Sequence, residues 1–463
     1  MDRRNFLKTS GIIGLGFMEP GNMQRACASV MPGQAKQENP SKIFNMCGYA
    51  APKLHTVRIG IIGIGARGRL AVDRLSQIEG VEIKALCDIR KEKLDKVKKE
   101  SNYLKGDPAL FAGDKDIWKE VCQRADIDLI YVATPWSLHA PMGIYGMECG
   151  KHVALEVPAA TTVEDCWRLV QTSEKTKKHC VMLENCCYDS FELLTLNLAR
   201  NGFFGEIIHC EGGYIHNICE NLFHRGRPDN NWHLEENMTR NGNLYPTHGL
   251  GPIAQVMNIN RGNKMNRLVS MSSNDFSMGA TAKILSEKDS YFQQFTGASF
   301  RGNINTSVIK TEKGQTILLQ HDISSPRPYS RIHTISGTKA FAQKYPLPPR
   351  IARGNKWISD EEFKELEQKY DPVSLAGMAA LLPGKIGGHG NMDFLMDWRL
   401  IYCLRNGLPV DIDVYDAAAW SAIAPLSELS VAKQSATVEI PDFTKGRWTE
   451  NSPCEILQFK QQV

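Results

Sequence analysis

The chain reads as two architectures in series. The first is α/β with a doubly wound parallel sheet. The second is α+β with a mostly antiparallel sheet and helices on one face. Three observations predict this. Short β-branched runs alternate with helical periodicity from residue 57 onward. A Gly-x-Gly-x-x-Gly turn directly follows the first of these runs. Beyond Phe203-Phe204-Gly205-Glu206, strand-like runs are separated by turn residues rather than by helices.

The elements follow in order. Val57–Ile62 is a buried parallel strand, and Gly63-Ile64-Gly65-Ala66-Arg67-Gly68 is the turn after it. Arg69–Gln77 has helical spacing, Val81–Cys87 is the next strand, and Asp88 closes it. Helix Lys91–Glu100, strand Asp128–Ala133, helix Ala140–Cys149, strand Val153–Leu155, helix Val163–Lys177 and strand Val181–Leu183 continue the alternation. Ile207–Tyr214 begins the second style. Leu268–Ser272, Ser299–Arg301, Asn305–Lys310, Gln315–Gln320 and Ile332–Ile335 are the further strands expected there. Gly212–Asn243 is long, polar and aromatic, which suits the wall of a site. Asn391–Leu404 and Tyr415–Gln434 are expected as helices. The expected divisions are 1–50 leader and linker, 51–200 dinucleotide-binding domain, 201–440 substrate domain and 441–463 tail.

A length of 463 residues, with 42% hydrophobic and 23% charged residues, suits a globular chain with a large core. Its 55 basic and 51 acidic residues leave a net charge of +4. That balance argues against binding to nucleic acid or anionic membrane by bulk attraction. No uncharged apolar stretch is long enough for a transmembrane span. The 13 cysteines include no Cys-x-x-Cys, so they read as small buried hydrophobes rather than metal or redox centres. His216, His224 and His233 share a loop, but their spacing fits no metal motif, and no metal site is expected.

The N-terminus, Met1-Asp2-Arg3-Arg4-Asn5-Phe6-Leu7-Lys8 followed by Gly11–Met18, resembles a twin-arginine export signal. It implies export to the periplasm, with lipid anchoring at Cys27 or cleavage near Ala26-Cys27-Ala28 left open.

The glycine turn has the context that gives it meaning: a strand before, a helix after, and an acidic residue ending the next strand. Gly63, Gly65 and Gly68 let the backbone approach a pyrophosphate at a helix N-terminus. Asp88 accepts hydrogen bonds from ribose hydroxyls and repels a 2′-phosphate, so NAD is expected over NADP. Trp136 and His139 leave the sheet at the nucleotide edge, and Glu156 and Asn185 follow strands that open toward the nicotinamide end.

At these residues the sequence resembles the Gfo/Idh/MocA family of sugar oxidoreductases, whose members commonly carry Glu-Lys-Pro where this chain has Glu156-Val157-Pro158. The departure resembles one branch, glycoside hydrolase family 109. The resemblance is carried by Glu156–Ala160, Glu184-Asn185-Cys186-Cys187-Tyr188, Trp232, Tyr245-Pro246-Thr247-His248-Gly249, Ser325–Arg331 and Gly388–Asp393. It implies an NAD-dependent glycosidase, with α-N-acetylgalactosaminidase as the characterised activity. It implies cofactor contacts at Ala66, Arg67, Asp88, Trp136, His139, Glu156, Val157 and Asn185. Its sugar contacts fall on Tyr214, Trp232, Tyr245, Pro246, Thr247, His248 and Tyr329, and proton-transfer groups on Tyr188 and His248. The implied partner is a carbohydrate with a terminal N-acetylhexosamine; a homo-oligomer is left open.

The residues themselves suggest how such a site works. No carboxylate pair of the ordinary glycosidase kind is recognisable. A nicotinamide offers another route, in which C3 of the sugar is transiently oxidised, the C1 oxygen is lost by elimination, water adds and C3 is reduced again. His248 is an apt base, and Tyr188 or Tyr245 is a candidate base if a neighbouring cation lowers its pKa. Two other readings stand beside this one. The first is an NAD-dependent sugar dehydrogenase, which Val157 in place of lysine disfavours. The second is a non-catalytic sugar-binding protein that keeps a structural nucleotide.

Overall fold

The computed structural model describes residues 44–224, 231–371 and 391–453. The export signal, Cys27, Gly388–Gly390 and part of the polar loop after His224 lie outside the described residues.

The first sheet is built from β1 (Val57–Ile62), β2 (Val81–Cys87), β3 (Ala109–Phe111), β4 (Leu129–Val132), β5 (His152–Leu155) and β6 (Cys180–Met182). All five pairings are parallel, in the order β3-β2-β1-β4-β5-β6. The order reverses direction between β1 and β4, which opens the crevice where a nucleotide sits in a doubly wound sheet. The strands carry almost unbroken apolar runs because helices cover both faces. Those helices are α1 (Ala66–Leu75), α2 (Lys91–Glu100), α3 (Trp118–Gln123), α4 (Trp136–Glu148) and α5 (Val163–Thr176). α1 buries Ala71, Val72 and Leu75, each contributing up to roughly 1.5–3 kcal/mol for the larger side chains. α5 starts where the Thr162 side chain accepts from the N–H of Asp165 and stops at left-handed Lys177. The short β3 and α3 were not among the sequence expectations, because each spans too few residues to show a period.

A 3₁₀ turn over Asn185–Tyr188 and α6 (Ser190–Arg200) lead into the second sheet. Its strands are β7 (Ile207–Ile215), β8 (Met265–Ser272), β9 (Ile304–Thr311), β10 (Thr316–Asp322), β11 (Thr334–Gly337), β12 (Ala340–Gln343), β13 (Arg350–Arg353), β14 (Lys356–Trp357) and β15 (Val438–Glu439). The order is β14-β13-β12-β11-β7-β10-β9-β8-β15, antiparallel except for the parallel pair β7 and β10. Its helices are α7 (Cys219–Leu222), α8 (Asn231–Thr239), α9 (Thr247–Val256), α10 (Met278–Lys288), α11 (Asp360–Tyr370), α12 (Met392–Asn406), α13 (Val414–Ser421) and α14 (Ile423–Ala432). α9 packs on β7 and α14 on β8, while α12 and α13 return to α1, α5 and β6 of the first sheet. This return joins the two sheets, and Phe44–Val463 forms one compact unit.

Several expectations are corrected. Ser299–Arg301 is not a strand. The expected strand Ile332–Ile335 starts only at Thr334, because Ile332 and His333 take left-handed φ values of 63° and 48°. The expected helix Tyr415–Gln434 breaks at Ala422. Pro425 has no N–H to give the Ser421 carbonyl, and its ring crowds that oxygen. The folded region also begins before residue 51. Met46 is in the main core and its N–H donates to the Tyr415 hydroxyl at 3.2 Å. The expected tail is packed at least through Asn451, with Phe443 buried against Trp167 at 4.7 Å between ring centres. None of the eleven described cysteines is in a disulfide, and nine of them are buried.

Candidate functional site

The cofactor side begins at the turn after β1. Gly63 has φ 90°, and a Cβ there would stand 2.5 Å from the Ala133 carbonyl oxygen. A Cβ on Gly68 would stand 1.8 Å from the Gly63 oxygen, so only glycine lets α1 close onto the turn. Gly65 differs: a Cβ there would meet no heavy atom within 4 Å. Open space at Gly65, just ahead of Ala66 at the start of α1, fits a pyrophosphate drawn to a helix N-terminus. Asp88 is buried and fixed by two backbone donors, the N–H of Ile64 to Oδ2 at 2.8 Å and that of Arg90 to Oδ1 at 3.0 Å. Its carboxylate thus stands beside the glycine turn, as a ribose acceptor must. These residues fit a dinucleotide.

Arg67 reaches across the crevice. Its Nε donates to Glu156 at 2.9 Å, and Nη1 and Nη2 donate to Asp393 at 3.1 and 3.2 Å. The Asn185 side chain donates to the same Asp393 at 2.6 Å. Two expected cofactor residues, Arg67 and Asn185, are therefore held by one aspartate from α12, and Arg67 in turn holds the third, Glu156. Asp393 lies in a segment noted for its resemblance but was not named as a site residue, because nothing local marks what it faces.

Two cofactor expectations change. His139 is fully buried, with Nδ1 2.7 Å from the Pro158 oxygen and Nε2 2.8 Å from the Thr134 oxygen. Each ring nitrogen faces a backbone carbonyl oxygen, and burial keeps the imidazole neutral, so one of the two donates and the ring braces two strand ends. Val157 is buried in the main core, which leaves its backbone rather than its side chain for any cofactor contact.

The substrate side is an aromatic wall. Tyr214 near the end of β7 has Tyr245 at 4.8 Å, His248 at 5.4 Å and Tyr329 at 6.4 Å between ring centres. Tyr245 and His248 are 4.7 Å apart, and Trp136 packs on Tyr245 at 5.7 Å and Trp232 at 5.2 Å. Trp136, at the start of α4, thereby joins the first sheet to this wall. The close approach of β7 and α9 sets this up: a Cβ on Gly249 would stand 2.3 Å from the Gly213 nitrogen. With no side chain between them, His248 comes to lie beside Tyr214. Pro246 and Thr247 are buried at the start of α9. The Thr247 hydroxyl lies beside Glu184 without a well-formed hydrogen bond.

His248 is 13% exposed, and its Nδ1 lies 2.8 and 3.0 Å from the two carboxylate oxygens of Glu184, which is 0% exposed. Burial pulls the Glu184 carboxyl up, but the adjacent His248 and the N–H of Cys186 hold it below its ordinary value. Glu184, Cys186 and His248 also place one metal-type donor atom each within 4.8 Å of one another. Burial pushes the Cys186 thiol well above its ordinary pKa, so it is a protonated donor, 3.5 Å from the Asn185 amide oxygen. The three groups read as a hydrogen-bonded set.

A cation stands near each candidate tyrosine, Arg399 by Tyr188 and Arg67 by Tyr245, but burial outweighs both. Tyr188 is 5% exposed, and its hydroxyl donates to Asp411 at 3.1 Å, itself paired with Arg399 at 2.9 Å. Burial and then Asp411 push its phenol well up, and it joins no ring of the aromatic wall. Burial likewise drives Tyr245 well above its ordinary value, with Arg67 opposing only weakly. Neither phenol is set up as a base. Two residues of the wall were missed as sugar-side groups. His216 faces Tyr214 at 2.9 Å through Nδ1 and packs edge-on against Tyr329 at 5.1 Å. Arg331 donates to the Tyr329 hydroxyl at 3.2 Å. Period-two spacing from Tyr214 puts His216 on the same face, a signal that could have found it.

Comparison with known proteins agrees with this layout. Residues 57–184 match the family model of the oxidoreductase family with an NAD-binding Rossmann fold. Residues 188–450 match that of the glycosyl hydrolase 109 C-terminal domain. An α-N-acetylgalactosaminidase of Bacteroides fragilis is 49% identical over 426 residues, covering 89% of this chain and 97% of the relative. A glycosyl hydrolase family 109 protein of Porphyromonas gingivalis is 47% identical over 414 residues, covering 86% of each chain. Among solved structures, an oxidoreductase domain protein from Kribbella flavida aligns with TM-score 0.65 at 15% identity, over 84% of this chain and 100% of that one. Scyllo-inositol dehydrogenase from Lactobacillus casei, solved with NAD(H) and scyllo-inositol, aligns with TM-score 0.59 at 16% identity, over 83% of this chain and 99% of that one. At these identities the two structures show a shared fold.

Proposed function

The chain belongs to the glycosyl hydrolase 109 family, and from that premise we propose that it is an exported, NAD-dependent glycosidase releasing terminal α-linked N-acetylgalactosamine. The observation that carries this reading is the position of His248. It stands in the aromatic wall and is bonded to Glu184 at the end of the dinucleotide-binding sheet. The dinucleotide-binding part, to about residue 200, and the substrate part, 201–440, thus share one site.

Gly63, Gly65, Ala66 and Gly68 would hold the pyrophosphate, and Asp88 the adenosine ribose. Arg67, Glu156 and Asn185 would border the nicotinamide end. When bound there, NAD supplies a reversible hydride acceptor for C3 of the sugar. With C3 at the ketone level, the C2 hydrogen is acidified by the adjacent carbonyl. His248 Nε2 removes that proton, the electron pair forms the C1–C2 double bond as the C1–O bond breaks, and the proton now on Nε2 passes to the departing oxygen, while the C3 hydroxyl proton is exchanged with solvent. Water then adds at C1 while C2 regains a proton, and the sugar is reduced at C3. The sum is hydrolysis with no net redox change. Trp232, Tyr245 and Tyr214 give the pyranose apolar faces to rest on, and Tyr329, tied to Arg331, offers it a phenol.

A panel of nitrophenyl glycosides, assayed without added cofactor, tests the reading. Release from the α-N-acetylgalactosaminide is expected. A C3-oxidised sugar with stoichiometric NADH would instead assign a dehydrogenase. Inactivity on every glycoside after reconstitution with NAD would overturn the glycosidase reading.

A further inference from the structure

We propose that Glu184 is the positioning residue for His248. By holding the imidazole proton on Nδ1, it presents an unprotonated Nε2 to the substrate. The proposal rests on the reading of His248 as the proton-transfer group, and deepens it.

The geometry is one-sided. Glu184 follows β6, on the cofactor sheet, while His248 lies in the first turn of α9 on the substrate side. Both carboxylate oxygens lie within 3.0 Å of Nδ1, and no other acceptor competes for that nitrogen. Oε1 also accepts the N–H of Cys186 at 3.1 Å, which fixes the carboxylate against rotation. A carboxylate that already accepts the Cys186 N–H and lies within 3.0 Å of Nδ1 through both oxygens is the acceptor there, so Nδ1 donates. The opposite nitrogen is then the acceptor, on a ring that packs edge-on against Tyr214 and Tyr245. Room for the carboxylate is made by Gly251, one turn along α9. A Cβ there would stand 2.9 Å from Glu184 Cγ. A base whose tautomer is left to chance is misprotonated for part of the time. An ionised carboxylate behind the ring removes that loss, in the manner of the aspartate of a serine-protease triad.

Glu184→Gln discriminates. The amide oxygen keeps the N–H of Cys186 and the place of Oε1, 2.8 Å from Nδ1, while the NH₂ replaces Oε2, 3.0 Å from the same nitrogen. Nδ1 then faces one neutral acceptor and one donor in place of a carboxylate, so its hold on the proton weakens and Nε2 gains a share of it. The measurement is the ¹⁵N–¹H correlation spectrum of the full-length, NAD-loaded protein labelled on histidine. The His248 signal is identified by its absence from His248→Ala. In the wild type the proton is expected on Nδ1, and in Glu184→Gln shared between Nδ1 and Nε2. Turnover in the variant should fall about 10²–10⁴-fold with KM and bound NAD little changed. Glu184→Asp, which can still accept, should keep the Nδ1 proton and recover part of the turnover.

A wild-type His248 carrying its proton on Nε2, or on both nitrogens at neutral pH, overturns the proposal. So does a Glu184→Gln protein that loses turnover with the tautomer unchanged. If Glu184→Gln does not fold, the wild type and Glu184→Asp decide by the same signal: a retained Nδ1 proton supports the proposal and a lost one overturns it. Full activity in His248→Ala would sink the reading of His248 as the base, while leaving the measured tautomer to stand or fall by itself.

Discussion

Arg67 and Asp393 meet across 326 positions of sequence, through guanidinium contacts of 3.1 and 3.2 Å that close α12 onto the first turn of α1. Asp393 is 1% exposed, and it also takes the Asn185 amide. α12 therefore closes one side of the crevice beside the glycine turn.

Replacing Asp393 by alanine should leave Arg67 with only Glu156 and release Asn185. A hydrogen bond to a charged group contributes about 1.5–3 kcal/mol. Asp393→Ala is expected to lower the melting temperature and to increase the rate at which NAD is lost on dialysis. Unchanged values of both would mean that the α12 contact is incidental.

Asp88→Ala should weaken NAD retention by roughly 10–100-fold, the equivalent of one charge-assisted hydrogen bond. Nucleotide released on denaturing the purified protein measures it. NADP, rather than NAD, recovered from the wild type would contradict the role given to this carboxylate.

Loss of the imidazole in His248→Ala should cut turnover by about 10²–10⁴-fold. Bound NAD should persist, because His248 sits on the sugar side. Equal losses of nucleotide and turnover would point to a collapsed site instead.

The internal redox cycle leaves isotopic marks. Turnover in heavy water should place deuterium at C2 of the released sugar, and substrate deuterated at C3 should react more slowly where hydride transfer limits the rate. Net NADH should not accumulate. Product with no C2 label and no C3 isotope effect would favour direct displacement at C1.

Acid should destabilise the fold. Burial pushes protonation of His152 and His333 down to about 3, and of His179 and His233 to about 4. In the unfolded chain these groups protonate near 6.5. The unfolded state thus binds more protons below about pH 6.5, and stability falls progressively toward pH 4, by about 1.4 kcal/mol per pH unit for each histidine. Asp413 acts oppositely: burial raises it from 3.8 to about 6, so its share is full below 3.8 and lost above about 6. Four groups outweigh one. Urea midpoints at pH 7 and pH 5 should show the lower value at pH 5; a higher one would refute this.

The sequence made some of this legible and hid the rest for physical reasons. Gly63, Gly65, Gly68 and Asp88 could be read because strand, turn and helix are contiguous there and each glycine answers a local backbone demand. Tyr214, Tyr245, His248 and Tyr329 were named from their motifs, and the fold brings them within ring contact of Tyr214. Tyr188 belongs to the same motif as Asn185, yet its hydroxyl is consumed by Asp411, 223 residues away. His139 is likewise spent on the Pro158 carbonyl, 19 residues away. Long-range pairing of this kind has no local signature. The break at Ala422 was readable from Pro425 but was masked by an unbroken apolar period on both sides.

The cysteines described above have a consequence for where the protein can work. None of the eleven is cross-linked, and burial lifts those at 87, 122 and 180 to about 12. A thiol at that pKa is almost never a thiolate near neutrality, and the thiolate is the form that oxidants and disulfides attack. Among the described residues the fold draws no strength from an oxidising surrounding, and its buried thiols offer an oxidant little to attack. That part of the chain is in this sense redox-indifferent.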